Sequence, residues 1–305
     1  MRYLGLYHSG ELIRRIKVGY ARLACCDLCP HACAVNRLAG EVGLCGGGKT
    51  PRIASASIHR GEEPPISGSR GSGTIFLSGC TLNCRFCQNF PISQLRHGTD
   101  VSIGQLSEKM LGLQLRGAHN INLVTPSHFT PQILASLYLA IRQGFNLPIV
   151  WNTSGYERLD TLQLLDGVVD IYLPDMKYAL ETEALKLSHA PGYPELNRVA
   201  VAEMLRQVGH LRCDGQGVAV SGVIVRHLVL PQGRAGSADT LAWIAAHLGA
   251  DTHIALMSQY FPAHLANETP GMEKRLTRDE YGEAVEALES NELENGWVQD
   301  APQQG

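Results

Sequence analysis

Six apolar runs of strand length alternate with helical stretches in the C-terminal three-quarters of this 305-residue chain, and this alternation limits the folds open to it. The runs span 74–78, 120–125, 147–151, 168–173, 222–230 and 253–257. The stretches between them carry helix punctuation. Ser102 and Gln105 spell a capping box ahead of Leu106, Met110 and Leu113. Thr130-Pro131 opens the next helix with Pro in the first turn, and Gly144 closes it. Ser237 precedes Leu241, Ile244 and Leu248, with Gly249 as the stop, and Thr277 with Glu280 caps a final helix. Strands that are each followed by a helix run parallel and are joined by right-handed crossovers. The class is α/β, either a partial barrel or a doubly wound sheet.

Ahead of the first strand, Leu12, Ile13, Ile16, Tyr20 and Leu23 recur at helical spacing. A segment rich in cysteine and glycine follows, from Cys25 to Gly48. Residues 61–73, with four glycines and two prolines, read as a turn-rich connector. The expected layout is therefore an N-terminal helix and cysteine segment over 1–60, a connector over 61–73, the alternating domain over 74–299 and a tail over 300–305. A net charge of −3 offers no electrostatic case for nucleic acid. No apolar run reaches the roughly 18 residues of a membrane span. Charges at Glu11, Arg14, Arg15 and Lys17 interrupt any signal-peptide core. The nine cysteines are an odd number, grouped rather than dispersed. In a large chain without an export signal, that pattern reads as metal binding by reduced thiols and a cytoplasmic setting.

Parallel α/β folds gather their sites at the carboxyl ends of the strands. Here those ends carry Gly79-Cys80, Thr125-Pro126-Ser127-His128, Asn152-Thr153-Ser154, Asp175-Met176-Lys177, Pro231-Gln232 and Ser258-Gln259-Tyr260. Asp175 and Lys177 are two apart and share one face of an extended segment. Arg226 sits inside an apolar run and needs a polar cavity or a partner, because a bare buried charge is costly.

Cys80, Cys84 and Cys87 form C-x3-C-x2-C just after the first run. Three thiolates can hold three irons of a cubane cluster, which takes four cysteines in an electron carrier. An open fourth position is what makes a metal site reactive rather than structural. Part of a zinc site is the alternative at this spacing. Cys26, Cys29, Cys33 and Cys45 form a second set, C-x2-C-x3-C-x11-C, suited to zinc or to an auxiliary cluster, with Cys25 as a substitute ligand.

The cysteine loop, with Phe86 just before its third cysteine, resembles the signature of the radical S-adenosylmethionine superfamily. From about 26 to 299 the chain resembles its PflX-type proteins, relatives of pyruvate formate-lyase activating enzymes. The matching segments are Cys26-Asp27-Leu28-Cys29-Pro30, the run at 40–45, Gly71-Ser72-Gly73-Thr74, Cys87-Gln88-Asn89, Asn122-Leu123-Val124-Thr125-Pro126, Tyr172-Leu173-Pro174-Asp175-Met176-Lys177 and Gln259-Tyr260-Phe261-Pro262. The resemblance implies a partial (β/α)6 TIM-like barrel with an N-terminal cysteine-rich extension. It implies a [4Fe–4S] cluster on Cys80, Cys84 and Cys87, with S-adenosylmethionine bound beside it. Phe86, Thr125, Ser127, His128, Asn152, Ser154, Asp175, Lys177, Arg226 and Gln259 are then the candidate cofactor contacts. It further implies reductive cleavage to a 5′-deoxyadenosyl radical, hydrogen abstraction from a glycyl residue of a partner or from another substrate, and a flavodoxin- or ferredoxin-like reductant. The chain departs from activating enzymes at three places. Thr-Pro-Ser-His replaces their Gly-Gly-Glu element, Asn152 stands for an aspartate, and Tyr260 stands for a histidine. The alternatives are a radical enzyme acting on a small molecule or RNA, and a metal-binding electron carrier or scaffold without turnover.

Overall fold

The computed structural model describes residues 1–302, so the last three residues of the expected tail lie outside the described residues. The strands are β1 (Arg52–His59), β2 (Ser72–Leu77), β3 (Thr99–Asp100), β4 (Ile121–Val124), β5 (Ile149–Thr153), β6 (Ile171–Pro174), β7 (Arg212–Cys213), β8 (Ala219–Leu228), β9 (His253–Met257) and β10 (Gly296–Val298). They form one ten-stranded sheet in the order β10-β9-β8-β6-β5-β4-β2-β1-β3, with β7 paired to β8. The run from β2 to β10 is parallel throughout. Its order follows the chain without reversal. A doubly wound sheet needs a switch point where the order turns back, so that alternative falls. Right-handed crossovers in monotonic order stack their helices on a single face.

The register separates the two faces. Ile75, Leu123, Trp151, Tyr172, Val225 and Leu256 pack in the core shared with the helices. The other face begins apolar, with Val150, Ile171, Leu173, Ile224 and Ala255 in a second cluster closed by Ile66. One step further along the strands this face turns polar. Val124 stands opposite Asn152, and Asp175 bridges to Arg226. Burial on both faces explains why these strands read as continuous apolar runs.

Both sequence-read capping boxes form. Ser102 Oγ accepts from Gln105 N, and Thr277 Oγ1 accepts from Glu280 N. Three features were not in the sequence reading. β1 pairs antiparallel with β2, so the sheet begins inside the expected 1–60 segment. β10 adds a seventh parallel strand beside β9. The 61–73 connector folds inward as the short helix Pro64–Ser67, which carries the fully buried Ile66. Among the described residues no helix is long and apolar enough to cross a membrane.

Candidate functional site

The site begins where β2 ends. Gly79 takes a left-handed φ of 86°, and any Cβ there would collide with the carbonyl oxygen of Cys45. That close approach lets Cys80 N–H donate to Cys45 O at 3.1 Å. Asn83 N–H and Arg85 N–H then donate to Ser188 O and Leu187 O, at 3.0 and 2.8 Å, which pins the loop to the end of the helix Glu181–Ser188. Each thiol has one polar neighbour. Leu82 N–H donates to Cys80 Sγ at 3.3 Å, Ser188 Oγ lies 3.0 Å from Cys84 Sγ, and Ser93 Oγ lies 3.1 Å from Cys87 Sγ. Burial pushes the Cys84 thiol up to about 11 against the pull of Lys177. Burial, reinforced by Cys84, also raises Cys80. Thiols held protonated in this way bind metal by releasing their protons.

The three cysteines form one wall of a cavity of about 340 Å³. Thr125, Asn152, Ser154, Asp175, Lys177, Arg226 and Gln259 also line it. Its charges are interleaved. Lys177 Nζ meets Asp175 Oδ2 at 2.6 Å. Arg226 Nε stands 3.5 Å from Asp175 Oδ1 and 3.4 Å from Glu63 Oε1. Neither contact is a hydrogen bond, and among the described residues Asp175 Oδ1, Arg226 Nε and Glu63 Oε2 have no hydrogen-bond partner. Burial alone would lower Lys177, but Asp175 and Cys84 outweigh it and its pKa is raised. For Arg226, burial is likewise outweighed, here by Glu63 and Asp175. Both side chains therefore stay cationic at neutral pH. Thr125 marks the rim with φ 57°, a left-handed conformation that strains a β-branched residue. Buried, incompletely satisfied charges beside a strained residue are a signature of a functional site.

Glu62 and Glu63 are site residues that the sequence reading missed. The connector brings Glu62 to the cavity wall and Glu63 to Arg226. Burial and the neighbouring Glu63 raise the Glu62 carboxyl. The available signal was an acidic pair directly before Pro64-Pro65, a helix start.

Three expected contacts stand outside the cavity lining. Ser127 Oγ instead donates to Glu157, a buried carboxylate that also accepts from Thr153 Oγ1 at 2.6 Å and Trp151 Nε1 at 3.3 Å. Burial raises the Glu157 carboxyl despite those three donors. His128 Nε2 lies 2.9 Å from Ser78 O, and burial lowers the imidazole to about 4. Phe86 packs against Tyr260 with ring centroids 6.0 Å apart. The 3-10 turn Ser127–Phe129 begins right after the left-handed Thr125 and turns both polar side chains into the protein.

Cys26, Cys29 and Cys45 are buried, Cys33 is half-buried and Cys25 is exposed. Burial pushes the Cys29 thiol up to about 12, with Cys45 the next cause. All nine cysteines are free, and among the described residues no three His, Cys, Asp or Glu side chains are drawn in around one metal-ion position.

No family model matches the chain. It is 30% identical over 277 residues to an uncharacterized protein of Methanocaldococcus jannaschii, MJ0674, a match covering 88% of this chain and 75% of that protein. A solved structure of TYW1 with a lysine–pyruvate adduct bound overlaps it with a TM-score of 0.43 and 14% identity, over 73% of this chain and 74% of the other. So loose an overlap leaves the fold to rest on the strand order itself.

Proposed function

The chain belongs to the family of the M. jannaschii protein MJ0674, and we propose that it is a radical S-adenosylmethionine enzyme on a partial (β/α)6 barrel. One observation carries this reading: three cysteine thiols and a half-buried row of Lys177, Asp175 and Arg226 line one cavity at the strand ends. The donor set fits an iron–sulfur cluster. Cys80, Cys84 and Cys87 supply three thiolates and leave one position for a ligand from the cavity. The chemistry expected of that group, when bound, is one-electron cleavage of the S-adenosylmethionine sulfonium to methionine and a 5′-deoxyadenosyl radical that abstracts hydrogen from the substrate.

The remaining work falls to this chain's own side chains. Lys177 and Arg226 hold fixed positive charge for a carboxylate. Asp175 and Glu62 offer acceptors for an ammonium group. Asn152 and Ser154 present an amide and a hydroxyl at the end of β5, suited to ribose hydroxyls. Ile66 packs on the apolar half of the same sheet face, one step along the strands from these polar groups. An electron carrier or scaffold would have no use for such a charged row opposite its thiols, which favours the enzyme.

The test is anaerobic reconstitution with iron and sulfide, then dithionite and S-adenosylmethionine. The expected outcome is 5′-deoxyadenosine and methionine in equal amounts, and none from the Cys80/Cys84/Cys87→Ala protein. Undiminished cleavage by that variant, or none by fully loaded wild type, would overturn the reading.

A further inference from the structure

The proposed activity makes no use of Cys26, Cys29, Cys33 and Cys45, nor of the buried cation beside them. The backbone wraps these thiols tightly. Cys26 N–H donates to Val35 O at 3.0 Å, Ala34 N–H to Cys26 O at 2.9 Å and Ala32 N–H to Cys29 O at 3.0 Å. Ala32 and Ala34, on either side of Cys33, hold left-handed φ values of 40° and 57°. Strain of that kind persists only where the surroundings enforce it. A Cβ on Gly43 would stand 3.2 Å from Cys33 Sγ and 3.6 Å from Cys45 Sγ, so those two sulfurs flank a single glycine. A Cβ on Gly47 would stand 3.2 Å from Cys45 Sγ and 2.9 Å from Arg37 Nη2.

Arg37 is the second, independent observation. It is 0% exposed. Its guanidinium donates to Gly48 O at 2.7 and 3.1 Å and to His128 O at 2.7 Å, and Nη1 reaches Cys26 Sγ at 3.7 Å. No ion pair among the described residues includes it. An arginine stays charged in a protein, and a buried charge without a counter-charge is expensive. The groups placed to supply that counter-charge are the sulfurs. Four neutral thiols would leave Arg37 uncompensated, whereas four thiolates around a metal carry net negative charge.

We propose that Cys26, Cys29, Cys33 and Cys45 carry a thiophilic metal centre, a zinc ion or an iron–sulfur cluster, whose negative charge is balanced by the buried guanidinium of Arg37. Arg37 is a positioning residue for this centre, not a ligand. The centre lies next to the catalytic loop, because Cys45 offers its carbonyl to Cys80 N–H. Binding draws the thiols in and releases their protons.

The test uses the full chain carrying Cys80/Cys84/Cys87→Ala, so its outcome does not depend on the S-adenosylmethionine reading. Purified anaerobically, this protein is expected to retain either about one zinc or about four irons with sulfide per chain. X-ray absorption at the metal edge is expected to show a shell of sulfur alone, at about 2.3 Å for zinc. Adding Cys29→Ser and Cys45→Ser removes the metal. Neither metal at stoichiometric level in protein that still melts cooperatively overturns the proposal, as does a shell of nitrogen or oxygen; the shell decides alone should the serine variants fail to fold. Arg37→Gln is expected to weaken retention about 10- to 100-fold in chelator competition, and Arg37→Lys to restore most of it. Unchanged retention in Arg37→Gln overturns the charge-balancing role.

Discussion

The Cys80–Cys87 loop and the Cys26–Cys45 segment both bury thiols, but they face different surroundings. The loop presents three sulfurs to a cavity opposite Lys177, with one polar neighbour for each. The segment buries Cys26, Cys29 and Cys45 and half-buries Cys33 beside glycines and a guanidinium, and none of the four lines that cavity. A full thiolate set enclosed by protein suits a structural or relay centre, and an incomplete set facing a cavity suits chemistry. The two regions meet at a main-chain hydrogen bond, from Cys80 N–H to Cys45 O, and where His31 Nε2 lies 2.8 Å from Thr81 O.

The largest effect expected outside the cysteines belongs to the charged row, which only the loop faces. Lys177→Met leaves the half-buried Asp175 with the longer Arg226 contact as its only ion pair among the described residues. A hydrogen bond to a charged group is typically worth about 1.5–3 kcal/mol. Without the Lys177 charge for the ligand's carboxylate, S-adenosylmethionine binding is therefore expected to weaken about 10- to 100-fold, while the N-terminal metal content and the iron–sulfur absorption of the loop stay unchanged. Equilibrium binding to the reconstituted protein measures this. Wild-type affinity in the variant would reduce the row to packing and erase the contrast between the two regions.

Much of this contrast could be read from the sequence where the signals were local. Strand periodicity, two capping boxes and the Asp175-x-Lys177 spacing each involve residues within a few positions of one another. Arg226 was legible because a charge in an apolar run demands a cavity. The contribution of Glu62 and Glu63 was not legible, since turn-rich composition says nothing of where a segment docks. Arg37 and the Cys45–Cys80 contact were hidden for the same reason, being products of tertiary packing across tens of residues. Ser127 and His128 misled because they sit at a strand end. The left-handed Thr125 and the turn after it decide where their side chains go, and a threonine does not announce that conformation as glycine would.

A smaller effect is expected at the junction itself. Gly79→Ala puts a Cβ against the Cys45 carbonyl and forces alanine into a left-handed φ. Strain of this type costs on the order of 1–3 kcal/mol. The variant is expected to melt several degrees lower and to load iron on the Cys80 loop incompletely, while the N-terminal segment keeps its metal. Thermal unfolding together with metal counts tests this. Equal loss of metal from both sets would make the two regions one cooperative unit rather than two centres in contact.

The smallest effect concerns Glu157, which stands between the regions: Thr153 on the cavity wall donates to it, and its charge adds to the upward shift of Cys29. Burial raises its pKa in the folded protein. The folded state then binds a proton more tightly than the unfolded chain, whose glutamates titrate near about 4.3. Its contribution to stability is complete below that value and declines as pH rises toward the folded pKa. Glu157→Gln mimics the protonated acid and removes the decline. The wild type is expected to lose stability relative to the variant as pH rises from about 4.3, the unfolded glutamate value, toward neutrality. Denaturant unfolding of both proteins at a series of pH values measures the difference. Parallel pH profiles would mean that Ser127, Thr153 and Trp151 hold Glu157 ionised. The negative charge beside Cys29 would then persist at neutral pH, and Arg37 would have to balance it along with the thiolates.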